Sequence, residues 1–304
     1  MGAPHVVMMF LDGVGIGDPD PATNPFFVAH GKTLRRLCKN SMVHREDPYR
    51  HSQTVSVVPL DATLGIGGLP QSGTGQTSLY TGVNAASLIG KHFGPFPYSS
   101  LRPLLHRENI FQQLIAANRR VYFANAFPEQ YFRYLEKHSL LVSATTQAWL
   151  STNKPLNDGS VLMKGMGISA DMTNERWESL GYPDVPVISA FEAGKRLAAL
   201  SREYDFVLYE YYLTDTAGHH RSMTEAIHAI EMVDEFTDGV LSTMDYATTT
   251  LIMTSDHGNL EDLSTRGHTR NPVICVIAGA AQRQIADAVA NLMDVTPVLM
   301  HLMT

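Results

Sequence analysis

Cysteine is scarce in this chain, which has only Cys38 and Cys275, far apart and without a CxxC pair. That excludes a disulfide framework and a thiolate zinc site, and it fits a reducing cytoplasm. Positive charge is also in deficit: 23 Lys and Arg stand against 30 Asp and Glu, giving a net charge of -7 with no local basic block. Nucleic acid is therefore not an expected partner. Nowhere does an apolar run reach the roughly 18 residues that a bilayer span requires. The opening stretch MGAPHVVMMFLDG lacks a basic region and a small-residue cleavage site, so it does not read as a signal peptide. The expectation is a soluble, cytoplasmic protein acting on a small molecule, with no membrane partner.

What is present is the composition of a globular protein. The 304 residues, 44% of them hydrophobic and 17% charged, suffice for one large core with a modest second lobe. Apolar runs recur at 5–12, 120–127, 204–213, 248–256 and 272–279, with helix-length segments between them. Runs that are apolar on both faces predict strands sandwiched between helices. The expected fold class is α/β, a mostly parallel central sheet flanked by helices.

The segment SMTEAIHAIEMVDEFTDGVLSTM predicts a helix opening at Ser222, with Ser222 and Glu225 as a capping box. Ile227, Ile230, Val233, Val240, Leu241 and Met244 form its apolar stripe. A second helix is expected over SAFEAGKRLAALSREY, just ahead of the strand at 204. Residues 128–186 differ: Pro128, Pro155, Pro183 and Pro186 punctuate them, and no long apolar period runs through them. They are expected to form a small inserted cap on a core made of 1–127 and 187–304.

Acidic and imidazole side chains gather where these strands end. Asp12 closes the first run. In TDTAGHH, Asp215 and His219 stand four residues apart on a turn entering a helix, a spacing that aims both at one point. Asp256 and His257 follow the run TTTLIM, and His268 precedes the run at 272. Hard oxygen together with imidazole nitrogen suits zinc or manganese. The Gly-rich LPQSGTGQTSLYTG at 69–82 has the backbone and hydroxyl groups to cradle a phosphate, although it lacks the Lys of a Walker sequence.

Taken in order, LDG at 11–13, QSGTGQTSLYTG, TDTAGHH, AIEMVDE, SDHGNLED and GHTRNPV resemble the metal-binding core of the alkaline phosphatase superfamily. Within it, the branch containing cofactor-independent phosphoglycerate mutase and phosphopentomutase is the most similar. The resemblance implies two divalent ions, Mn2+ or Zn2+. Asp12, Ser72, Asp256 and His257 would hold one, and Asp215, His219 and His268 the other. It implies Ser72 as the nucleophile, with Thr74 as the rival, and gives His220 no ligand role. Three carboxylates and an ionised serine would supply the four negative charges that two divalent cations need.

Departures from that branch bear on function. The mutases carry a large domain after the nucleophile helix, and the corresponding stretch here is far too short. Their Gly-His pair is Gly75 and Gln76 in this chain. Lys91, His92, Arg102, Arg133, Lys164 and Arg270 are the cations available to grip a substrate. The expected function is a two-metal phosphomonoesterase or phosphotransferase working through a phosphoserine on Ser72. The alternatives are a small phosphomutase and a metal-binding or regulatory protein without catalysis.

Overall fold

A computed structural model describes residues 4–304. Its strands are β1 (His5–Leu11), β2 (Arg50–His51), β3 (Val55–Leu60), β4 (Val121–Phe123), β5 (Phe206–Tyr211), β6 (Thr249–Thr254) and β7 (Val273–Gly279). They form one sheet in the order β2-β3-β7-β6-β1-β5-β4. Strand β1 alternates strictly between two cores. Val7, Met9 and Leu11 face one and Val6, Met8 and Phe10 face the other, which is why the strand reads as a continuous apolar run.

The helices that matter for the site are α1 (Ser72–Thr81), α2 (Glu129–His138), α3 (Ala144–Leu150), α4 (Ala190–Leu200), α5 (Leu213–His220), α6 (Met223–Thr243) and α7 (Leu292–Met303). Among the described residues, no helix is long and apolar enough to cross a membrane.

The expected α/β sheet flanked by helices is present, and it is mixed. Strands β4, β5, β1 and β6 run parallel to one another, whereas β7 pairs antiparallel with β6, β3 with β7, and β2 with β3. The antiparallel part has a structural consequence. Because β7 runs backwards relative to β6, its beginning lies at the edge where β1, β5 and β6 end. In the β3–β7 register Leu60 sits opposite Val273, so the chain leaves β3 at that same edge. Residues that precede β7 and residues that follow β3 therefore meet residues that follow β1, β5 and β6.

Helices α4 and α6 cross closely because each presents a glycine to the other's backbone. A methyl at Gly194 would overlap the Phe236 carbonyl oxygen, and one at Gly239 would overlap the Phe191 carbonyl oxygen. Alanine is the better helix former by about 1 kcal/mol. Overpacking costs about 1–3 kcal/mol or more and outweighs that gain. Gly194→Ala is therefore expected to lower stability by about 2 kcal/mol net in a urea melt. An unchanged midpoint would mean that the helices separate freely.

The predicted capping box at Ser222 is half formed. Ser222 Oγ accepts from the Glu225 amide at 3.3 Å. The Glu225 carboxylate instead turns to His220 Nδ1 at 2.7 Å, which leaves His220 paired on the surface.

Candidate metal centre

Every element that ends at the shared edge delivers a polar side chain to it. Asp12 follows β1, and its carbonyl accepts from Thr214 Oγ1 at 2.6 Å, which ties the entry of α5 to the end of β1. One α-helical turn then brings Asp215 and His219 together, Oδ2 to Nε2 at 3.2 Å. Gly13, at φ +71°, lies so close to Asp215 that any side chain there would collide with the carboxylate. Asp256 and His257 leave β6 fully buried. His268 arrives ahead of β7, with Nε2 3.3 Å from His219 Nε2 and 3.8 Å from Asp215 Oδ1. Ser72 is the first residue of α1, and its Oγ lies 2.9 Å from His257 Nε2.

Two donor groups result. Ligand atoms of Asp215, His219 and His268 lie within 4.8 Å of one another, and so do those of Asp12, Asp215 and His257. Asp215 belongs to both. Asp256 Oδ2 stands 3.6 Å from His257 Nε2. The His257 and His268 rings stack with centroids 3.6 Å apart, so the two groups form one continuous cluster.

Thr74 is placed differently. It is fully buried, and its hydroxyl is donated to the Gln71 carbonyl at 3.1 Å. His220 points away from the cluster, toward Glu225. None of Lys91, His92, Arg102, Arg133, Lys164 and Arg270 lines the cleft that opens from the cluster; the cation that does is Arg176.

The electrostatics of the cluster suit a cation. Burial, and then the charge of Asp256, push the Asp12 carboxyl well above its usual range. Burial also raises Asp256. Burial alone would lower His257, but the carboxylates of Asp256 and Asp12 outweigh it and raise the imidazole to about 10. Burial, followed by the charge on His257, depresses His268 to about 4. His268 Nδ1 donates to the Pro70 carbonyl at 2.7 Å, which leaves the Nε2 lone pair facing His219 and Asp215. Asp12 Oδ1 is buried with no hydrogen-bond partner. An acidic oxygen that lacks a donor, in a cluster where His268 presents its Nε2 lone pair, fits a bound divalent ion.

Three supporting residues have no ligand spacing of their own. Gln76 Nε2 donates to Asp12 Oδ2 at 3.2 Å and to Asp256 Oδ2 at 3.0 Å, bridging two carboxylates that would otherwise repel. Asn259 Nδ2 donates to Asp215 Oδ1 at 2.6 Å. Buried Glu261 accepts from the Gly15 amide at 2.9 Å, the Asn259 amide at 2.8 Å and Asn271 Nδ2 at 3.0 Å, pinning the loops after β1 and β6 to the one before β7. Asn259 and Glu261 fall inside the SDHGNLED stretch, but their partners lie more than 40 residues away in places, so spacing alone does not reveal them.

Beside the cluster opens a cleft of about 710 Å³, lined at one end by Asp12, Ser72, Gln76 and Asp215. Residues of the 128–186 segment, including Tyr131 and Tyr134 of α2, supply much of its wall. Glu210 on β5 lines it as well and is 6% exposed. Burial raises its carboxyl from 4.5 to about 7, against hydrogen bonds from Ser143 and Thr145 that lower it, while the charge of Asp256 adds to the rise. Between those two pH values the folded chain holds a proton that the unfolded chain has released, so stability falls as pH rises through the window. The fall is about 3 kcal/mol at 1.36 kcal/mol per pH unit. Glu210→Gln is expected to flatten that slope in urea melts of chelator-treated protein at pH 5 and pH 8. Parallel slopes for the two proteins would show that Glu210 does not titrate in the window.

A family profile described as Metalloenzyme superfamily matches residues 181–304, the part of the chain that supplies Asp215, His219, Asp256, His257 and His268. That part of the chain is thus similar to the metalloenzyme superfamily. The sequence is also similar to curated 2,3-bisphosphoglycerate-independent phosphoglycerate mutases. Identity is 31% over 131 residues with the Methylobacillus flagellatus protein and 36% over 131 residues with that of Rhodopseudomonas palustris. Each match covers 40% of this chain and 25% of the relative, so the chain spans about a quarter of the length of the mutases it matches. Among solved structures, the fold is similar along its whole length to the PH0037 protein of Pyrococcus horikoshii, with TM-score 0.59, 15% identity and 97% of that chain covered. It is similar likewise to the alkaline phosphatase of the Antarctic bacterium TAB5, with TM-score 0.53, 10% identity and 99% covered. The fold of the chain is thus alkaline phosphatase-like.

Proposed function

We propose that the chain is a two-metal phosphomonoesterase working through a phosphoserine on Ser72. One observation carries the reading: the Ser72 hydroxyl stands at the start of α1, 2.9 Å from His257 Nε2 of one donor group, and lines a large cleft together with Asp12 and Asp215. Two divalent cations held by Asp12, Asp256 and His257 and by Asp215, His219 and His268 would neutralise an anionic ester and lower the pKa of a serine hydroxyl. The chain's own residues do the rest. Ser72 Oγ forms a bond to phosphorus as the ester oxygen leaves and takes up a proton. Water then breaks the Ser72–phosphorus bond and releases inorganic phosphate. The N-terminus of α1, where no side chain caps the helix at Gln71, favours the negative charge of the phosphoryl group. Gln76 and Asn259 keep the carboxylates aimed, and the 128–186 segment acts as a cap that limits water.

The test is elemental mass spectrometry on protein purified without added metal or chelator, followed by a screen of phosphate monoesters. About two equivalents of manganese or zinc per chain, with release of free phosphate from an ester, is the expected outcome. Isomerised product without free phosphate would mark a mutase instead. A chain that takes up no metal even on reconstitution would overturn the proposal.

A further inference from the structure

The wall of the cleft specifies the organic half of the substrate, an inference that rests on the phosphomonoesterase reading. Away from the metal cluster the cleft is lined by Phe96, Phe127, Tyr131, Tyr134, Leu141 and Trp177. Two of these side chains remain open to solvent, Tyr134 at 40% and Leu141 at 44%, and Tyr212, which also lines the cleft, is 44% exposed. Large apolar residues left open along one concave wall mark a surface made for an apolar ligand.

Charge points the same way. Arg176 is the lone Lys or Arg among the lining residues, and it is accompanied by the acids Asp171 and Glu210. A substrate with a second anionic group, such as a phosphorylated hydroxy acid, would bring a carboxylate into a cleft where a single guanidinium, Arg176, stands beside the acids Asp171 and Glu210, so its desolvation cost would be offset only in part. The volume, about 710 Å³, is that of a site for a drug-sized ligand. A three-carbon ester would touch the metal end and leave the aromatic wall unused.

We infer that the substrate is a phosphate monoester of a bulky apolar alcohol, whose hydrocarbon part lies along the wall formed by Phe127, Tyr131, Tyr134 and Leu141 while its phosphate reaches Ser72. The leaving group is then a neutral alcohol that carries away one proton, and inorganic phosphate is the second product.

The experiment uses methyl, butyl and hexyl phosphate on the metal-loaded chain, since these alcohols differ in apolar area but little in leaving-group basicity. Each added methylene is expected to raise kcat/KM by about three- to fourfold while the chain remains in contact with the wall. The matching alkylphosphonates, which cannot be hydrolysed, should bind with the same progression by calorimetry. Leu141→Asp and Tyr134→Asp, both at exposed positions that leave the core intact, should each cut the hexyl-to-methyl ratio by about tenfold. Turnover that stays flat or falls with chain length, with 3-phosphoglycerate preferred, overturns this inference and leaves the phosphoesterase reading standing. A metal-loaded chain that hydrolyses no ester of the series overturns both.

Discussion

Ser72→Ala is expected to lower phosphate-ester turnover by about 10³- to 10⁶-fold, the range seen when the nucleophile is removed from enzymes that form a covalent intermediate. The expectation follows from how few hydroxyls can reach the site. Thr74 is fully buried and gives its hydroxyl to the Gln71 carbonyl. Thr77 and Ser78 bond back along α1 to the carbonyls of Gly73 and Thr74, at 2.6 and 2.8 Å. Ser72 alone among these lines the cleft, and its Oγ touches the nitrogen of His257 rather than a backbone carbonyl. The Ala variant keeps three carboxylates and three histidines, so its metal content should change far less than its rate. The wild-type chain, quenched during turnover, should yield a phosphopeptide containing Ser72, and the variant should not. An alanine variant that turns over at the wild-type rate would move the nucleophile elsewhere.

Much of the fold is legible in the sequence, because sheet strands buried on both faces leave continuous apolar runs. The runs ending at Asp12 and just before Asp256 correspond to β1 and β6, whose inner residues are buried on alternate sides. Strand direction is less legible, since an apolar run reads the same for either orientation. The clue was the connection: residues 255–272 contain no helix, and a parallel return to the neighbouring strand needs a crossover, usually helical. An antiparallel β7 explains how His268, which precedes its strand, reaches residues that follow theirs. Strand β3, VSVVPL, is interrupted by Pro59 and does not stand out as a run.

The candidate ligands were legible as residue types at strand ends, and the metal measurement tests their role. Their supports were not. Gln76 reads as a departure from a His, yet its amide lies between Asp12 and Asp256, residues 64 and 180 positions away. The cleft wall is equally hidden. Tyr131 and Tyr134 lie on the short amphipathic helix α2, where Tyr131, Phe132 and Leu135 pack on the core, but this stripe is too short to stand out in a Pro-punctuated segment, and only the folded chain brings Tyr131, Tyr134 and Leu141 to the cleft that Ser72 lines.

Asp215→Asn is expected to reduce metal content more than any other single ligand change, because Asp215 is the residue shared by the two donor groups. His219, 47% exposed at its side chain, belongs to one of them. His219→Ala should therefore fall from about two equivalents toward one, whereas Asp215→Asn should fall below one. Charge drives the difference. Removing one of three carboxylates leaves two divalent ions under-neutralised in a buried site, and like charges held close together in low dielectric repel strongly. Asparagine keeps the shape of the side chain, so the tight packing against Gly13 survives and circular dichroism should be unchanged. Losing a ligand should weaken affinity by at least about 100-fold, beyond the 10- to 100-fold that removal of an outer partner costs. Asn259→Ala, which removes the 2.6 Å hydrogen bond that aims the Asp215 carboxylate and a second, at 3.2 Å, to the Asp215 carbonyl, should fall inside that smaller range. If Asp215→Asn retained both ions, Asp215 would not serve as the carboxylate that the two donor groups share.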